Sequence, residues 1–403
     1  MTVRGGMGVG DSPRSLLDRL TGVLNPRVVA GDFAAGPDRV AAELSGPNLE
    51  AFRRSHGRFA VLVENAGDLI WDSSATLGGL GIVAIPLARL EPEVERFLLA
   101  GVPPDLSPGL SPLTDLLNHT VRDWRTREFA WVKGREPVRR TLVMGILNVT
   151  PDSFSDGGAY LDAAGAVEHA LAMVSGGADV VDVGGCSTRP GASEPPVEEE
   201  LARVVPVVEK LRAKSGVLIS VDTCRPAVAK AALDAGADIL NDVTALADPA
   251  MRELAAARDA AVVLMHMKDT PRTMQDDPRY ADLMGEVYRF LARAVRAAES
   301  AGLSRARIAV DPGFGFGKSV EHNLELLARL AEFRSLGCPV AVGTSRKSTL
   351  GKVLDRPVDE RHWGTAATSA LAVAAGAAII RVHDVVATRD VVRMAEAVLR
   401  PLG

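Results

Sequence analysis

The sequence predicts a (β/α)8 barrel over residues 138–403, preceded by a smaller mixed α/β region. Two observations support this fold class. Short runs rich in β-branched residues alternate with Ala-rich amphipathic segments eight times over about 260 residues, as in repeated strand–helix units. Nearly every apolar run also ends in a polar residue, which is where a barrel presents its functional groups. A doubly wound open sheet is the alternative, although such sheets usually contain fewer strand–helix units.

The predicted barrel elements follow from the periodicity of the apolar residues and from the Gly and Pro residues between them. The predicted strands are 141–148, 178–183, 217–222, 238–243, 261–267, 307–311, 339–343 and 378–382. The predicted helices include 163–175, 196–213, 227–235, 281–301, 322–335, 365–375 and 389–399.

The N-terminal region, 1–137, has a less regular pattern. Residues 1–14 are predicted to form a flexible leader, and the predicted elements after it are helices at 15–23, 38–56, 91–99 and 114–131 and strands at 59–64 and 81–87. No spacing of His, Cys or paired acidic residues here indicates chemistry. A structural or oligomerisation module is the first hypothesis for this region, and a second activity or a partner-binding domain is the alternative.

The composition is that of a globular enzyme without a nucleic-acid-binding face. Of the 403 residues, 47% are hydrophobic and 24% charged, and the formal net charge is -5. A general nucleic-acid binder would need a basic surface. The sequence spacing of Cys186, Cys224 and Cys338 indicates neither a disulfide framework nor a zinc site. The longest apolar run, 370–380, is too short to span a membrane, and we predict a cytoplasmic location.

Polar side chains follow seven of the eight predicted barrel strands. They are Asn148, Thr188 and Arg189, Asp222, Asn241 and Asp242, Asp311, the segment 345–348, and Arg381, His383 and Asp384. Barrel interiors are otherwise filled by branched apolar residues, so solvation alone is a poor explanation for this set. The sequence therefore predicts a binding site at the carboxyl ends of the strands.

The chemistry of these residues falls into two groups. Carboxylates, an amide and one cation suit a flat, nitrogen-rich heterocycle, and they are Asp222, Asn241, Asp311 and Lys347. Groups that grip oxygens suit a diphosphate, and they are Asn148, Arg189, Arg381 and His383. The carbonyl oxygen of Asn148 could also bind Mg²⁺, which prefers oxygen ligands and phosphates.

Other motifs are incomplete. The segment 313–319 ends like a phosphate-binding loop, but Pro312 stands where the first glycine is needed. Its glycines are expected to let a loop close over a ligand, with Phe316 as an apolar wall. Met265 and its neighbours lack a partner at metal-ligand spacing, so a pocket wall or core position is expected. No nucleophile elbow is present.

Seven segments of the barrel region together resemble the dihydropteroate synthase family. They are MGILNVTPDSFSDGG (144–158), GGCSTRPGA (184–192), SVDT (220–223), NDV (241–243), DPGFGFGKS (311–319), GTSRKS (343–348) and RVHDV (381–385). The resemblance implies a pterin-binding barrel of folate biosynthesis, a transferase that uses Mg²⁺ and is usually a homodimer. Its reaction joins 6-hydroxymethyl-7,8-dihydropterin diphosphate to 4-aminobenzoate, giving 7,8-dihydropteroate and diphosphate. Sulfonamides compete with 4-aminobenzoate in this family.

The resemblance also implies roles for the matching residues. The implied catalytic residues are Asp222, Asp311, Lys347, Arg381 and His383. The implied pterin contacts are Asp222, Asn241, Asp311, Lys347, Met265 and Phe316, and the implied diphosphate contacts are Asn148, Arg381 and His383, with Asn148 also a ligand to Mg²⁺. The implied 4-aminobenzoate and loop contacts are Phe154, Thr188, Arg189, Pro190, Phe316, Lys347 and Ser348, with Asp152 and Asp156 in the first loop.

The chain departs from the family at one motif position, where Cys186 replaces the usual Glu. We expect an altered anchor for the second loop rather than a loss of activity. A pterin-dependent methyltransferase is one alternative, but it would not need the segments 188–191, 345–348 or 381–385. A non-catalytic pterin-binding paralogue is another, and it would be expected to lose Asn148 or the cations at positions 347, 381 and 383.

Overall fold

The structure is a computed structural model that describes residues 26–30, 59–64, 83–87, 96–101, 112–149, 159–186, 195–270 and 273–399. The chain divides into two compact units, which are Met1–Arg125 with Ser335–Gly337, and Thr126–Arg334 with Cys338–Gly403. Within the described ranges, every helix falls short of the length and apolar character that crossing a membrane requires.

The first unit contains, among its described residues, an antiparallel sheet of four strands followed by a helix. In chain order these are β1 (Arg27–Ala30), β2 (Phe59–Glu64), β3 (Val83–Leu87), β4 (Arg96–Gly101) and helix α1 (Pro112–Arg125). The sheet order is β1-β2-β4-β3, so β4 is paired along both edges. Leu99 at its centre is fully buried.

The predictions for the first unit had mixed outcomes. The strands predicted at 59–64 and 81–87 are confirmed, whereas β1 was not predicted. The helix predicted at 91–99 is wrong over 96–99, because pairing with two neighbouring strands overrides the helix propensity of this Leu- and Ala-containing run. The helix predicted at 114–131 ends at Arg125. The leader and the helices predicted at 15–23 and 38–56 lie outside the described residues.

The second unit is built on eight parallel strands that form a nearly closed barrel. They are β5 (Leu142–Asn148), β6 (Val180–Gly184), β7 (Leu218–Asp222), β8 (Ile239–Asp242), β9 (Ala261–Met265), β10 (Ile308–Asp311), β11 (Ala341–Val342) and β12 (Ile379–Val382). The order is β10-β9-β8-β7-β6-β5-β12-β11. A parallel bridge from Val310 to Val340 joins the two end strands, and the Val310 N–H donates to Pro339 O at 2.9 Å. The predicted fold class and all eight predicted strands are therefore confirmed.

The helices that follow these strands cover the outside of the barrel. They are α2 (Ala159–Ser175), α3 (Val197–Lys214), α4 (Pro226–Asp234), α5 (Pro249–Arg258), α6 (Leu283–Ser300), α7 (Val320–Ala328), α8 (Ser348–Leu354), α9 (His362–Ala374) and α10 (Val385–Leu399). The sequence analysis had not identified α5 or α8. A start signal for α5 is present in the sequence, since Asp248 caps the helix by accepting from Ala250 N at 2.8 Å and Pro249 is its first residue.

A hydrophobic cluster closes the amino-terminal end of the barrel. Trp131, Val132 and Val138 pack there against residues that begin the strands, including Leu142 and Ile239. The fully buried Trp131 ring donates from Nε1 to Val262 O at 3.3 Å. Residues 126–137 therefore belong to the barrel unit, although the sequence analysis placed the domain boundary at 137. With this end filled, the carboxyl ends of the strands form the side of the barrel available to ligands.

Candidate active site

A network of two carboxylates, a guanidinium and an amide lies inside the barrel near the carboxyl ends of the strands. Arg381 on β12 donates from Nε to Asp182 Oδ2 at 2.6 Å and from Nη2 to Asp222 Oδ2 at 2.7 Å. Asn241 on β8 donates from Nδ2 to the same oxygen of Asp182 at 3.0 Å. These four residues come from four strands, and the pairing of the strands brings them together.

Burial and mutual interaction change the protonation behaviour of this network. Burial raises the pKa of Asp222 to about 7, even though Arg381 acts to lower it. Burial also opposes the charge of Arg381, but Asp182 and Asp222 outweigh that effect and raise the guanidinium pKa. Asp182 is fully buried, and its Oδ1 atom accepts no hydrogen bond from any described residue. The network therefore holds one permanent cation, and one of its acceptor atoms, Asp182 Oδ1, receives no hydrogen bond within the network.

Asn148 stands at the end of β5, next to this network. A Cβ atom placed on Gly184 would lie 3.6 Å from Asn148 Oδ1 and 3.6 Å from Asp222 Cβ, so the three positions are neighbours. The amide oxygen of Asn148 is a suitable Mg²⁺ ligand. Within the described ranges no cluster of three His, Cys, Asp or Glu residues could hold a metal. This donor set fits an ion that takes most of its ligands from substrate phosphates and water.

A second group of side chains lies beside β10 and the start of α8. Lys347 donates from Nζ to the backbone oxygen of Phe314, and the same nitrogen lies 4.4 Å from the centre of the Phe316 ring. Asp311 accepts from Gly313 N at 2.7 Å through Oδ1. Burial lowers the pKa of Lys347 to about 8, with Asp311 acting in the opposite direction, and burial raises the pKa of Asp311. This side of the site therefore presents a cation beside an aromatic face.

The glycine-rich loop after β10 is held in place by hydrogen bonds. Gly315 N donates to Asn323 Oδ1 at 2.6 Å, and Gly315 O accepts from Gln275 Nε2 at 2.8 Å. Tyr280 donates to Gly317 O at 2.8 Å. Gly313 has a φ of +71°, and a Cβ there would lie 1.8 Å from His266 O, so only glycine fits. In this structure the glycines allow close backbone approach, and closure of the loop over a ligand stays a prediction.

A buried lysine–histidine pair lies beneath this loop. Lys318 Nζ is 2.9 Å from His266 Nδ1 and donates to Phe316 O at 2.9 Å. Burial lowers the pKa of His266 to about 2, so the ring is neutral and Nδ1 accepts from the lysine. Burial also lowers the pKa of Lys318 well below its usual value. This pair fixes the loop that carries Phe316.

His383 is oriented by a serine from the neighbouring strand end. Ser345 Oγ lies 3.0 Å from His383 Nδ1, and it accepts from His383 N at 3.2 Å. Nδ1 is thereby engaged, and the imidazole is held in a fixed orientation. Arg381 is two residues away on the same strand exit, and its Nη1 atom makes no hydrogen bond to any described residue. Arg381 therefore presents one guanidinium nitrogen to an anion, beside an imidazole held in a fixed orientation.

The structure brings together most of the residues that the sequence analysis selected. Met265 is buried at the end of β9, in register with Asp311, and the exposed Ser348 begins α8. The remaining selected residues are those of the two predicted loops, which lie outside the described residues: Asp152, Phe154, Asp156, Thr188, Arg189 and Pro190.

The sequence analysis missed four residues of the site. Asp182 interrupts the apolar strand β6, and a carboxylate between valines was a usable signal. Ser345 was noted at a strand end but was given no role. The structural importance of Lys318 and His266 had no signal in the sequence, because it depends on the packing of two loops.

Comparison with known proteins agrees with this geometry. Residues 144–383 match the family model described as pterin binding enzyme. The dihydropteroate synthase of Escherichia coli (strain K12) is 49% identical over 257 residues, which are 64% of this chain and 91% of that protein. The structure of Xanthomonas albilineans dihydropteroate synthase with 4-aminobenzoic acid matches with a TM-score of 0.64 and 46% identity, covering 69% of this chain and 100% of that one.

A second structure from Xanthomonas albilineans contains 7,8-dihydropteroate. It matches with a TM-score of 0.62 and 43% identity, and it covers 68% of this chain and 100% of that one. The matched region is the barrel unit, and the family model begins within β5. The chain belongs to the family of pterin-binding enzymes that includes the dihydropteroate synthases.

Proposed function

We propose that this chain catalyses the dihydropteroate synthase reaction of folate biosynthesis. The substrates are 6-hydroxymethyl-7,8-dihydropterin diphosphate and 4-aminobenzoate, and the products are 7,8-dihydropteroate and diphosphate. The observation that carries the proposal is the hydrogen-bonded arrangement of Asp182, Asp222, Asn241 and Arg381, which come from four strands inside the barrel. Relatives that carry this printed name align over more than nine-tenths of their own length.

The pterin would bind deep in the barrel. Its ring N–H groups need acceptors, which Asp222 and Asp311 supply, and its ring carbonyl and nitrogens need the donors of Asn241 and Lys347. Asp182 does not need to touch the ring, because it holds Arg381 and Asn241 in position. The buried Met265 and the ring of Phe316 provide apolar walls.

The diphosphate would bind at the mouth of the barrel, beside β12 and β5. Arg381 Nη1, the imidazole of His383 and the amide of Asn148 are suited to its oxygens. Mg²⁺, when bound through Asn148 and the diphosphate, would neutralise charge on the departing group. Metal dependence was predicted from the sequence and stays part of this proposal.

The reaction proposed here is a dissociative displacement. The bond from the methylene carbon to the diphosphate oxygen breaks first, and both electrons leave with diphosphate. The resulting cation is stabilised by the electron-rich pterin ring and by the carboxylates of Asp222 and Asp311. The amine of 4-aminobenzoate then forms the new C–N bond and loses a proton. No strong protein base is required, so the task of the protein is charge stabilisation and exclusion of water.

The 4-aminobenzoate ring would lie against Phe316 and Lys347, near Ser348. The predicted contacts from the two loops complete this pocket in the proposal: Phe154, Thr188, Arg189 and Pro190. The first alternative, a pterin-dependent methyltransferase, does not account for the presence of both Arg381 and His383 at one strand exit, where the diphosphate is proposed to bind. The second, a non-catalytic paralogue, does not account for the retention of Lys347 in contact with Phe316.

A homodimer is proposed on the basis of an apolar face on α9 and α10. Trp363 and Leu371 on α9 are 75% and 60% exposed, and Met394 and Val398 on α10 are each 66% exposed. The two helices are neighbours, and the residues on each are spaced by four or eight positions, so they lie on one face. A large exposed apolar surface of this kind favours association. The cytoplasmic location and the role of the N-terminal region remain the predictions made from the sequence.

The test is diphosphate release from the pterin substrate by the full-length protein, with and without 4-aminobenzoate and Mg²⁺. We expect release that depends on both additions and a pteroate product. Asp222→Asn should reduce the rate on the order of 10²–10³-fold. The exposed Asp234→Asn serves as the matched control and should leave the rate unchanged. Pterin binding without turnover under every condition would contradict the proposal and support the paralogue.

A further inference from the structure

We propose that Cys186 and Cys224 form a reversible disulfide at the mouth of the barrel. The two residues are separated by 38 positions in the sequence, but they follow the neighbouring strands β6 and β7. In that strand pair Gly184 is the register partner of Asp222. Each cysteine comes two residues after its member of this pair, in the segment that leaves the strand, so both cysteines follow the same layer of the barrel. The disulfide itself does not depend on the proposed function, whereas its effect on turnover does.

Side-chain direction supports the same pairing. Successive residues of an extended chain point to opposite faces. Asp182 and Asp222 point into the barrel, where both accept from Arg381. The residues just before the cysteines point outward to α3, because Thr223 Oγ1 donates to Glu200 Oε1 at 2.7 Å and a Cβ on Gly185 would lie 3.0 Å from Glu200 Cγ. The next residue along each chain is a cysteine in both cases, and the shared contact with Glu200 keeps the two chains side by side just before the cysteines.

The spacing at this level of the barrel suits a disulfide. A disulfide requires Cβ atoms about 3.5–4.5 Å apart and Cα atoms about 4.4–6.8 Å apart. One layer below the cysteines, the Cβ position of Gly184 is 3.6 Å from Asp222 Cβ. The two strands that lead to the cysteines are about 4.8 Å apart, which is within the range of the Cα requirement. Both residues are thiols in this structure, and Cys224 is exposed while Cys186 is half-buried.

The chemistry requires a small-molecule disulfide as oxidant. The exposed Cys224 attacks one sulfur of the oxidant as a thiolate, forming a mixed disulfide and releasing one small thiol. Cys186 then attacks the Cys224 sulfur and releases the second small thiol. Two protein thiols and one small disulfide thus give one protein disulfide and two small thiols.

The disulfide would bridge the edge of the barrel directly above Asp222, where the pterin is proposed to enter. It would also restrain the chain two residues before Thr188, which is proposed to serve 4-aminobenzoate. We expect oxidation to lower kcat/KM for the synthase reaction by about tenfold, since small misplacements of binding groups are costly in rate. Reduction with dithiothreitol should restore it.

The experiment equilibrates full-length protein with glutathione disulfide and counts thiols after denaturation. Three thiols per reduced chain should fall to one, with a linked pair of peptides containing Cys186 and Cys224 and no increase in native mass. Cys338→Ser is the matched control, and its two thiols should fall to none. Cys224→Ser should keep its activity in the reduced state and lose the sensitivity to oxidant.

Retention of three thiols, mapping of the link to Cys338, or a mixed adduct that never resolves would overturn the inference. The thiol count is independent of catalysis. If the reduced protein has no synthase activity but the pair still forms, the proposed function fails and the disulfide site stands. If the protein is active but the pair does not form, the disulfide inference fails and the proposed function stands. Cys224→Ala provides a second variant should the serine replacement fail to fold.

Discussion

The two sides of the barrel mouth hold their charges in different ways. On the side of β6, β7 and β12, Arg381 is bonded to two aspartates, so the charged groups neutralise and orient one another before any ligand arrives. On the side of β10 and α8, Lys347 and Asp311 bond to backbone groups of the glycine-rich loop and interact with each other only through space. The first side is therefore tied to the stability of the fold. The second can change its contacts at little cost to the fold.

The largest expected effect is that of Arg381→Ala. This change leaves the fully buried Asp182 without its cation, which typically costs about 3–5 kcal/mol in the free energy of unfolding. Synthase activity should also fall on the order of 10²–10³-fold. Denaturant unfolding and diphosphate release measure the two effects.

The control for this prediction is Arg140→Ala, which removes another Arg–Asp pair. Arg140 is half exposed and bonds to Asp179 at 2.6 Å, so its loss should cost only about 0.2–1 kcal/mol. If the two changes lower the free energy of unfolding equally, the Arg381 network stabilises the fold no more than an exposed ion pair does. That result would contradict the distinction between the two sides of the site.

Lys347→Met should reduce activity with much less effect on stability. The rate should fall by about 10²-fold, because a cation at the pterin is lost. Stability should change by less than about 1 kcal/mol, since the half-buried ammonium is itself disfavoured by burial. The same two measurements apply, with the exposed Lys352→Met as control. A large loss in the free energy of unfolding would show that Lys347 stabilises the fold, as Arg381 is expected to do.

The pH dependence of kcat/KM should distinguish the two sides of the barrel mouth, because Asp222 on one side and Lys347 on the other titrate in different pH ranges. As pH falls through about 7, Asp222 takes up a proton and ceases to be an anionic acceptor, so the rate should fall on the acidic side. As pH rises through about 8, Lys347 loses its charge, so the rate should fall on the alkaline side. Lys347→Arg, which stays charged, should move the alkaline limb upward and leave the acidic limb in place. An unmoved alkaline limb would assign it to another group.

The smallest effect is expected for Ser345→Ala. The change removes the hydroxyl that contacts His383 Nδ1 and accepts from His383 N, and each hydrogen bond is worth about 0.5–1.5 kcal/mol. The KM for the pterin diphosphate should therefore rise by about tenfold. Ser345→Thr keeps the hydroxyl and should restore the KM. If neither variant differs from the natural protein in steady-state kinetics, Ser345 does not orient the histidine.

The sequence was sufficient to predict features that depend on local pattern. The eight strands and the polar residues at their ends follow from apolar runs and their boundaries, and the fold, family and activity predicted from these motifs are confirmed. The strand β4 was misassigned because its pairing partners, not its own residues, decide its conformation.

Features that depend on register across the barrel could not be predicted in the same way. Asp182 and Arg381 are 199 positions apart, and only the order of the strands makes them neighbours. The sequence spacing of Cys186 and Cys224 indicated no disulfide, and the proposal that they pair depends on the alignment of β6 with β7, the strands that lead to them. Trp131 reaches Val262 across 131 positions to close the barrel, which no local periodicity indicates.

That closure at Trp131 has a consequence for the kinetics of the reaction. Because the amino end of the barrel is filled, a ligand that enters the interior must also leave through the carboxyl end. In the proposed arrangement the pterin lies innermost, and 4-aminobenzoate lies above it near Phe316. The pterin diphosphate should therefore be the first substrate to bind, and 4-aminobenzoate should slow its escape. Saturating 4-aminobenzoate would trap bound pterin in a pulse–chase measurement, a behaviour set by one indole ring at the opposite end of the barrel.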